Sequence, residues 1–192
     1  MYVVEDGRPG APGLLLIHGS AGSTAWWDPV VPALAGACRV IRVDLLGHGR
    51  SSSPAGGYGI PAQARRVGAT LDRLGAGRVT AVGHSMGCMV ATALAEQRPD
   101  KVAALALIDM GPSLDAAIPD GLLVRLLLAR FPGRLLWRLR SEATIRKAMR
   151  SAFARPADVP SAIIEATLGM THSEITPPRR AYTSRAFWSA CS

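Results

Sequence analysis

The stretch that most constrains the fold is Arg78 to Ala91, in which a β-branched apolar run stops at Gly83-His84-Ser85-Met86-Gly87 and then restarts with helical spacing. Val79, Ala81 and Val82 predict a buried strand, and Met86, Met89, Val90, Ala93 and Leu94 predict a helix that ends before Pro99. A serine on so sharp a strand-to-helix turn sits in a strained backbone conformation. The positions two before and two after it must then carry almost no side chain, and Gly83 and Gly87 occupy them. Such a turn lifts the hydroxyl clear of the strand end, while the first free N–H groups of the helix and its positive dipole end point at the same spot. Ser85 is therefore the candidate nucleophile, and anion stabilisation comes from the same piece of chain. A lone G-x-S-x-G is weak in a chain with 20 glycines in 192 residues; the strand before it and the helix after it make it specific.

The chain around this unit repeats the alternation. A short strand over residues 2 to 5 leads through a Gly/Pro turn to Leu14-Leu15-Leu16-Ile17, an unbroken run of the kind found in a parallel strand covered on both faces. It ends in His18-Gly19-Ser20-Ala21-Gly22-Ser23, whose small residues let backbone N–H groups face a cavity. This is a candidate second half of an oxyanion hole, although a plain strand-to-helix loop would use glycine in the same way. Trp26, Trp27, Val30, Val31 and Leu34 predict the next helix, with the tryptophans as packing residues. Arg39 to Asp44 is the following strand, running into the glycine turn Leu45 to Pro54 and a helix from about Pro61 to Leu74. Lys101 to Asp109 is one more buried strand. Strand and helix alternating in this way call for a parallel sheet with right-handed crossovers.

After Met110-Gly111-Pro112 the pattern turns to Leu-, Ala- and Arg-rich helices broken at Pro119, Pro132-Gly133, Pro156, Pro160 and Pro177-Pro178. Leu122, Leu123, Leu126 and Leu127 with Arg125 and Arg130, then Leu135, Leu136 and Leu139 with Arg134 and Arg138, give amphipathic helices with cationic faces. They fit a helical cap over a sheet better than helices lying on an acidic membrane. The expected organisation is an α/β core over residues 1–112, a mostly parallel sheet with flanking helices, and a cap-like helical segment over residues 113–192.

The net charge of +8 resembles a nucleic-acid signal until it is divided by region. Residues 113–192 hold 12 of the 22 basic residues but only 6 of the 14 acidic ones, mostly arginines spread along helices without interleaved aromatics. That is a solvated face, so no nucleic-acid partner is expected. Cys38, Cys88 and Cys191 form neither a disulfide framework nor a metal-ligand spacing, and the opening residues lack a basic-then-apolar leader. The reading is a cytoplasmic protein without metal. The runs Val102 to Ile108 and Leu122 to Ala129 are too short to span a bilayer, so no transmembrane segment is expected.

Three stations in order, His18-Gly19-Ser20, Asp44-x-x-Gly47-x-Gly49-x-Ser51 and Gly83-His84-Ser85-Met86-Gly87, each follow a strand. Together they resemble the α/β-hydrolase superfamily, its serine-nucleophile, capped, esterase- or lipase-like members. The resemblance runs over about residues 1–112, with 113–192 similar to the helical cap of many members. It implies Ser85 as nucleophile, the N–H groups of Ser20 and Met86 as oxyanion hole, and hydrolysis of an ester, thioester, lactone or related acyl bond of a small molecule without cofactor. The serine argues against the aspartate-nucleophile dehalogenases and epoxide hydrolases of that superfamily.

Two parts of the triad depart from the pattern. In the family the acid and the histidine follow late strands after the cap, and no such strands are legible before Ser192. Asp109, at a strand end where some members place the acid, is the fallback acid, although an aspartate there also serves as a turn residue. His18 belongs to the oxyanion-loop motif, His48 to the glycine turn, and His84 precedes Ser85 on a strand end, where adjacent side chains point to opposite sides, which leaves His172 in the cap segment as candidate base. Two other readings compete with a working hydrolase: a catalytically impaired hydrolase-like binding protein, and a truncated fragment with an exposed apolar edge at Val102 to Ile108.

Overall fold

The computed structural model of the protein describes residues 1–109, 126, 130–149 and 161–169. Five strands form one sheet: β1 (Tyr2–Asp6), β2 (Gly13–Ile17), β3 (Arg39–Asp44), β4 (Val79–His84) and β5 (Val102–Ile108). Their order across the sheet is β1-β3-β2-β4-β5. β1 runs antiparallel to β3, from Tyr2 opposite Asp44 to Asp6 opposite Val40. The other pairs are parallel, with Ile17 of β2 between Val43 of β3 and Gly83 of β4. The expected mostly parallel α/β sheet is thus present.

Two helices make the crossovers, α2 (Ile60–Arg73) between β3 and β4 and α3 (Met86–Gln97) between β4 and β5. Both lie on the face of the sheet that Leu15, Ile17, Ile41, Val43, Val79 and Ala81 present, and pack Ala64, Val67, Leu71, Val90, Ala91 and Leu94 against it. Each fully buried leucine or valine there contributes on the order of 1.5 to 3 kcal/mol. The opposite face buries Leu16 and Val40 under Trp27 and Val31.

The helix expected over Trp26 to Leu34 is two pieces, a single 3-10 turn at Thr24–Trp27 and one turn of α1 at Val31–Leu34. Pro29 lies between them and cannot donate to the carbonyl of residue 25, so a continuous helix breaks there. The tryptophans still pack as expected.

Beyond β5 the elements among the described residues are helices: α4 (Arg130–Arg138), α5 (Glu142–Met149) and α6 (Ser161–Gly169). Ile145 of α5 and Ile164 of α6 form a small buried pair joined by Leu168. Leu135 of α4 is 57% exposed and Leu139, just beyond its end, 73%, while Trp137 and Leu136 are half-buried. The division between residues 112 and 113 and the leucines at 122, 123 and 127 lie outside the described residues.

Candidate active site

The strand order places the site. From β2 the chain moves to β3 on one side, and from β4 it moves to β5 on the other, so the loops leaving the adjacent carboxyl ends of β2 and β4 diverge. A crevice opens at such a switch point. The loop on the β2 side is His18 to Ser23, and the turn on the β4 side carries Ser85.

Ser85 stands between β4 and α3 with φ 50° and ψ −117°, a left-handed conformation rare for a residue with a Cβ. It is half-buried. Its N–H donates to the Ile108 carbonyl at 2.9 Å, and its own carbonyl accepts from the Cys88 N–H at 2.9 Å, which fixes the strained unit at both ends. A Cβ on Gly83 would stand 2.4 Å from the Gly87 carbonyl oxygen, and one on Gly87 would stand 2.3 Å from the Ile17 carbonyl oxygen. Both are closer than van der Waals contact allows, so glycine is the residue the crossing of β4, α3 and β2 demands.

The loop after β2 presses against the same serine. A Cβ on Gly19 would lie 3.0 Å from both Ser85 Cβ and His84 Nδ1. Ser20 Oγ donates to Met86 Sδ at 3.5 Å, so the two residues expected to offer oxyanion N–H groups are in side-chain contact. The loop is tied within itself: the Gly19 carbonyl accepts from His18 Nδ1 at 2.7 Å and from the Gly22 N–H at 3.1 Å. His18 is fully buried, and its Nε2 accepts from the Leu45 N–H at 3.1 Å. Burial, then the neighbouring His48, push its pKa down to about 3, so the ring is neutral and bridges two loops.

The station at Asp44 holds the third loop. Its carboxylate, 1% exposed, accepts from the Thr24 N–H at 2.6 Å and the Arg50 N–H at 2.8 Å. A Cβ on Gly49, at φ +52°, would meet Asp44 Oδ2 at 2.3 Å, which accounts for the Asp44 to Gly49 spacing. Gln63 of α2 clamps Leu46 through both amide atoms at 3.0 Å.

His84 stacks on Trp26, with ring centroids 5.1 Å apart, and its Nε2 lies 3.8 Å from Asp109 Oδ2. Its Nδ1 is buried without a hydrogen-bond partner among the described residues. Burial lowers its pKa and the Asp109 carboxylate pulls in the opposite direction. Asp109 ends β5 at φ 54°, with its side chain 84% exposed. Ser20, Ser85, Met86, His84 and Asp109 are thus brought to one corner, and among the described residues no imidazole hydrogen-bonds the Ser85 hydroxyl. His172 lies outside the described residues. The His84 to Asp109 approach and the role of Trp26 against His84 carry no sequence signal, because they join residues from the end of β4, the end of β5 and the 3-10 turn after β2.

Residues 12–155 match the family model of the alpha/beta hydrolase fold. The chain is 39% identical over 123 residues to lipase LipV of Mycobacterium tuberculosis, across 61% of this chain and 44% of that one. It is 37% identical over 113 residues to the putative carbamate hydrolase RutD of Stutzerimonas stutzeri, across 57% of this chain and 42% of the relative. Less than half the length of each of these two relatives is therefore spanned. Among solved structures, Cfl2 of Burkholderia cenocepacia superposes with a TM-score of 0.76 at 28% identity, over 86% of this chain and 60% of the other.

Proposed function

Since the chain belongs to the alpha/beta hydrolase fold family, we propose that it is a serine hydrolase that cleaves an ester, thioester, lactone or related acyl bond of a small molecule. Ser85 attacks the carbonyl carbon as its hydroxyl proton passes to the base, and the developing oxyanion is received by the N–H groups of Met86, at the start of α3, and Ser20, on the loop after β2. The acyl C–O or C–S bond then breaks with the proton returned to the departing alcohol or thiol, leaving an acyl-enzyme that water hydrolyses. The observation that carries this reading is the left-handed Ser85 turn, with φ 50°, wedged by two glycines whose Cβ atoms would collide with backbone. Strain of that kind persists only where the surrounding structure over-determines it. The names of LipV and RutD are consistent with acyl chemistry of this class. No residue of the proposed site calls for a metal or cofactor.

On this reading the helices from residue 113 onward form a cap whose side chains select the acyl group. His172 is the candidate base and Asp109 the fallback acid. The odd cysteines, with Cys38 and Cys88 free, favour a cytoplasmic setting.

A second reading, a hydrolase-like binding protein with little turnover, is favoured by the lack of an imidazole on the Ser85 hydroxyl among the described residues. Turnover of p-nitrophenyl butyrate separates the two. We expect slow hydrolysis by the 192-residue chain, falling in Ser85→Ala to the residual of roughly 10³ to 10⁴ over water that an oxyanion hole and substrate binding give without a nucleophile. Rates near 1 per second that vanish in His172→Ala with the fold intact would instead assign the base to the cap. Hydrolysis equal in wild type and Ser85→Ala would remove the proposal.

A further inference from the structure

Among the described residues, a hydrogen bond from the helical segment reaches the loop after β2 from outside the core. Thr167 of α6, 4% exposed, donates its hydroxyl to the Ala21 carbonyl at 3.3 Å across 146 residues of chain. That carbonyl belongs to the same peptide plane as the Gly22 N–H, which donates to Gly19 O at 3.1 Å. The plane is therefore gripped on both edges, by the loop itself on one side and by α6 on the other. Ala21 holds φ +59°, a left-handed conformation that costs an alanine energy, so something must hold it there. Ser20 is the residue immediately before it.

α6 does not hang on this bond alone. Ile164, 1% exposed, packs on Ile145 of α5, and the Arg140 guanidinium, stacked on Trp137, donates to the Leu168 carbonyl. The helix is thus anchored on its own side and presents Thr167 to the loop from a supported position.

We propose that Thr167 is a positioning residue for the oxyanion loop: its hydroxyl fixes the Ala21 to Gly22 peptide plane and thereby aims the Ser20 N–H at the Ser85 corner. This rests on the reading of Ser20 as an oxyanion donor. It makes the helical segment more than a lid, since any movement of α6 that breaks the bond frees the loop to relax at Ala21. The Thr167 hydroxyl is the group at issue; its methyl is not, so valine removes the function and serine keeps it.

Hydrogen exchange on the full chain tests this without needing turnover. Wild type, Thr167→Val and Thr167→Ser are compared over peptides covering residues 18–23 and 161–169, each also in a Ser85→Ala background. Loop exchange is expected to be about two- to tenfold faster in Thr167→Val, the range set by loss of one hydrogen bond, and to return to the wild-type rate in Thr167→Ser. Unchanged loop exchange in Thr167→Val overturns the proposal. So does equal acceleration in both variants, which would mean that α6 merely undocks when its packing is disturbed. Where turnover is measurable, Thr167→Val lowers kcat with KM unchanged, and Thr167→Ser restores it. The Ser85→Ala background leaves the exchange rates as they are, so a wrong nucleophile shows in hydrolysis and a wrong clamp shows in exchange.

Discussion

At the carboxyl end of β4 a Cβ added to Gly83 would stand 2.4 Å from backbone, whereas one strand away six of the seven residues of β5 are exposed. The two strands are neighbours and pair in parallel from Val79 opposite Val102 to His84 opposite Ile108. β5 is the more apolar of the two, yet its Leu105, Leu107 and Ile108 are 40 to 45% exposed while Val79 and Ala81 of β4 are at most 1% exposed. Apolar sequence thus specifies only a need for cover, whereas crowding by backbone atoms specifies a position. β5 is written for neighbours that the described residues do not supply, and its edge carries none of the charges or prolines that protect open edges. The Ser85 turn is written for one geometry.

Overfilling the crowded end is the strongest way to break this contrast. Gly87→Val should cost at least about 3 kcal/mol, because the strained turn and the β2 carbonyls must both move. Gly36→Ala, where nothing lies within 4 Å of the added carbon, should shift stability by under about 0.5 kcal/mol. Chemical denaturation midpoints measure both, and similar shifts would erase the distinction between tight and open glycines.

The pH dependence of stability sharpens the same contrast. The folded-state pKa of His18 is lowered to about 3, below its unfolded value near 6.5, so the folded state excludes a proton that the unfolded chain accepts. Its contribution is fully present above about 6.5 and is lost progressively as pH falls toward 3. Urea midpoints at pH 7.5 and 5 should therefore fall with acidification, and His18→Gln should flatten that slope. An identical slope in the variant would mean that the buried ring is not what couples the two loops to pH.

The smallest effect on stability is expected at the open edge. Leu105→Lys with Leu107→Lys should leave the denaturation midpoint within about 0.5 kcal/mol while reducing concentration-dependent light scattering. A large loss of stability would show that β5 is covered in solution.

The alternating strands and helices of the first 109 residues were legible because parallel strands buried on both faces leave unbroken runs such as Leu14 to Ile17, and because Gly83 and Gly87 mark a crossing. The break at Pro29 was also readable in principle, since a proline mid-pattern stops a helix, but the spacing of Trp26 to Leu34 masked it. The Asp44 carboxylate as a binder of two loop N–H groups, the His84 stack on Trp26 and the grip of Thr167 on Ala21 were not legible. Each joins side chains and backbone whose proximity arises only after the sheet order is set. The exposure of Leu135 was not legible for a related reason: periodicity shows that a helix has an apolar face and not which way that face turns.

In the proposed function the strained serine at the end of β4 is the reacting group. Incubating the full chain with an excess of a fluorophosphonate and mapping the adduct by peptide mass spectrometry measures this directly, because phosphonylation needs both a serine nucleophile and a pocket for the phosphoryl oxygen. One adduct is expected, on Ser85, slow to form and absent in Ser85→Ala. An adduct that persists in Ser85→Ala, or that maps to another serine while Ser85 stays unmodified, would contradict it.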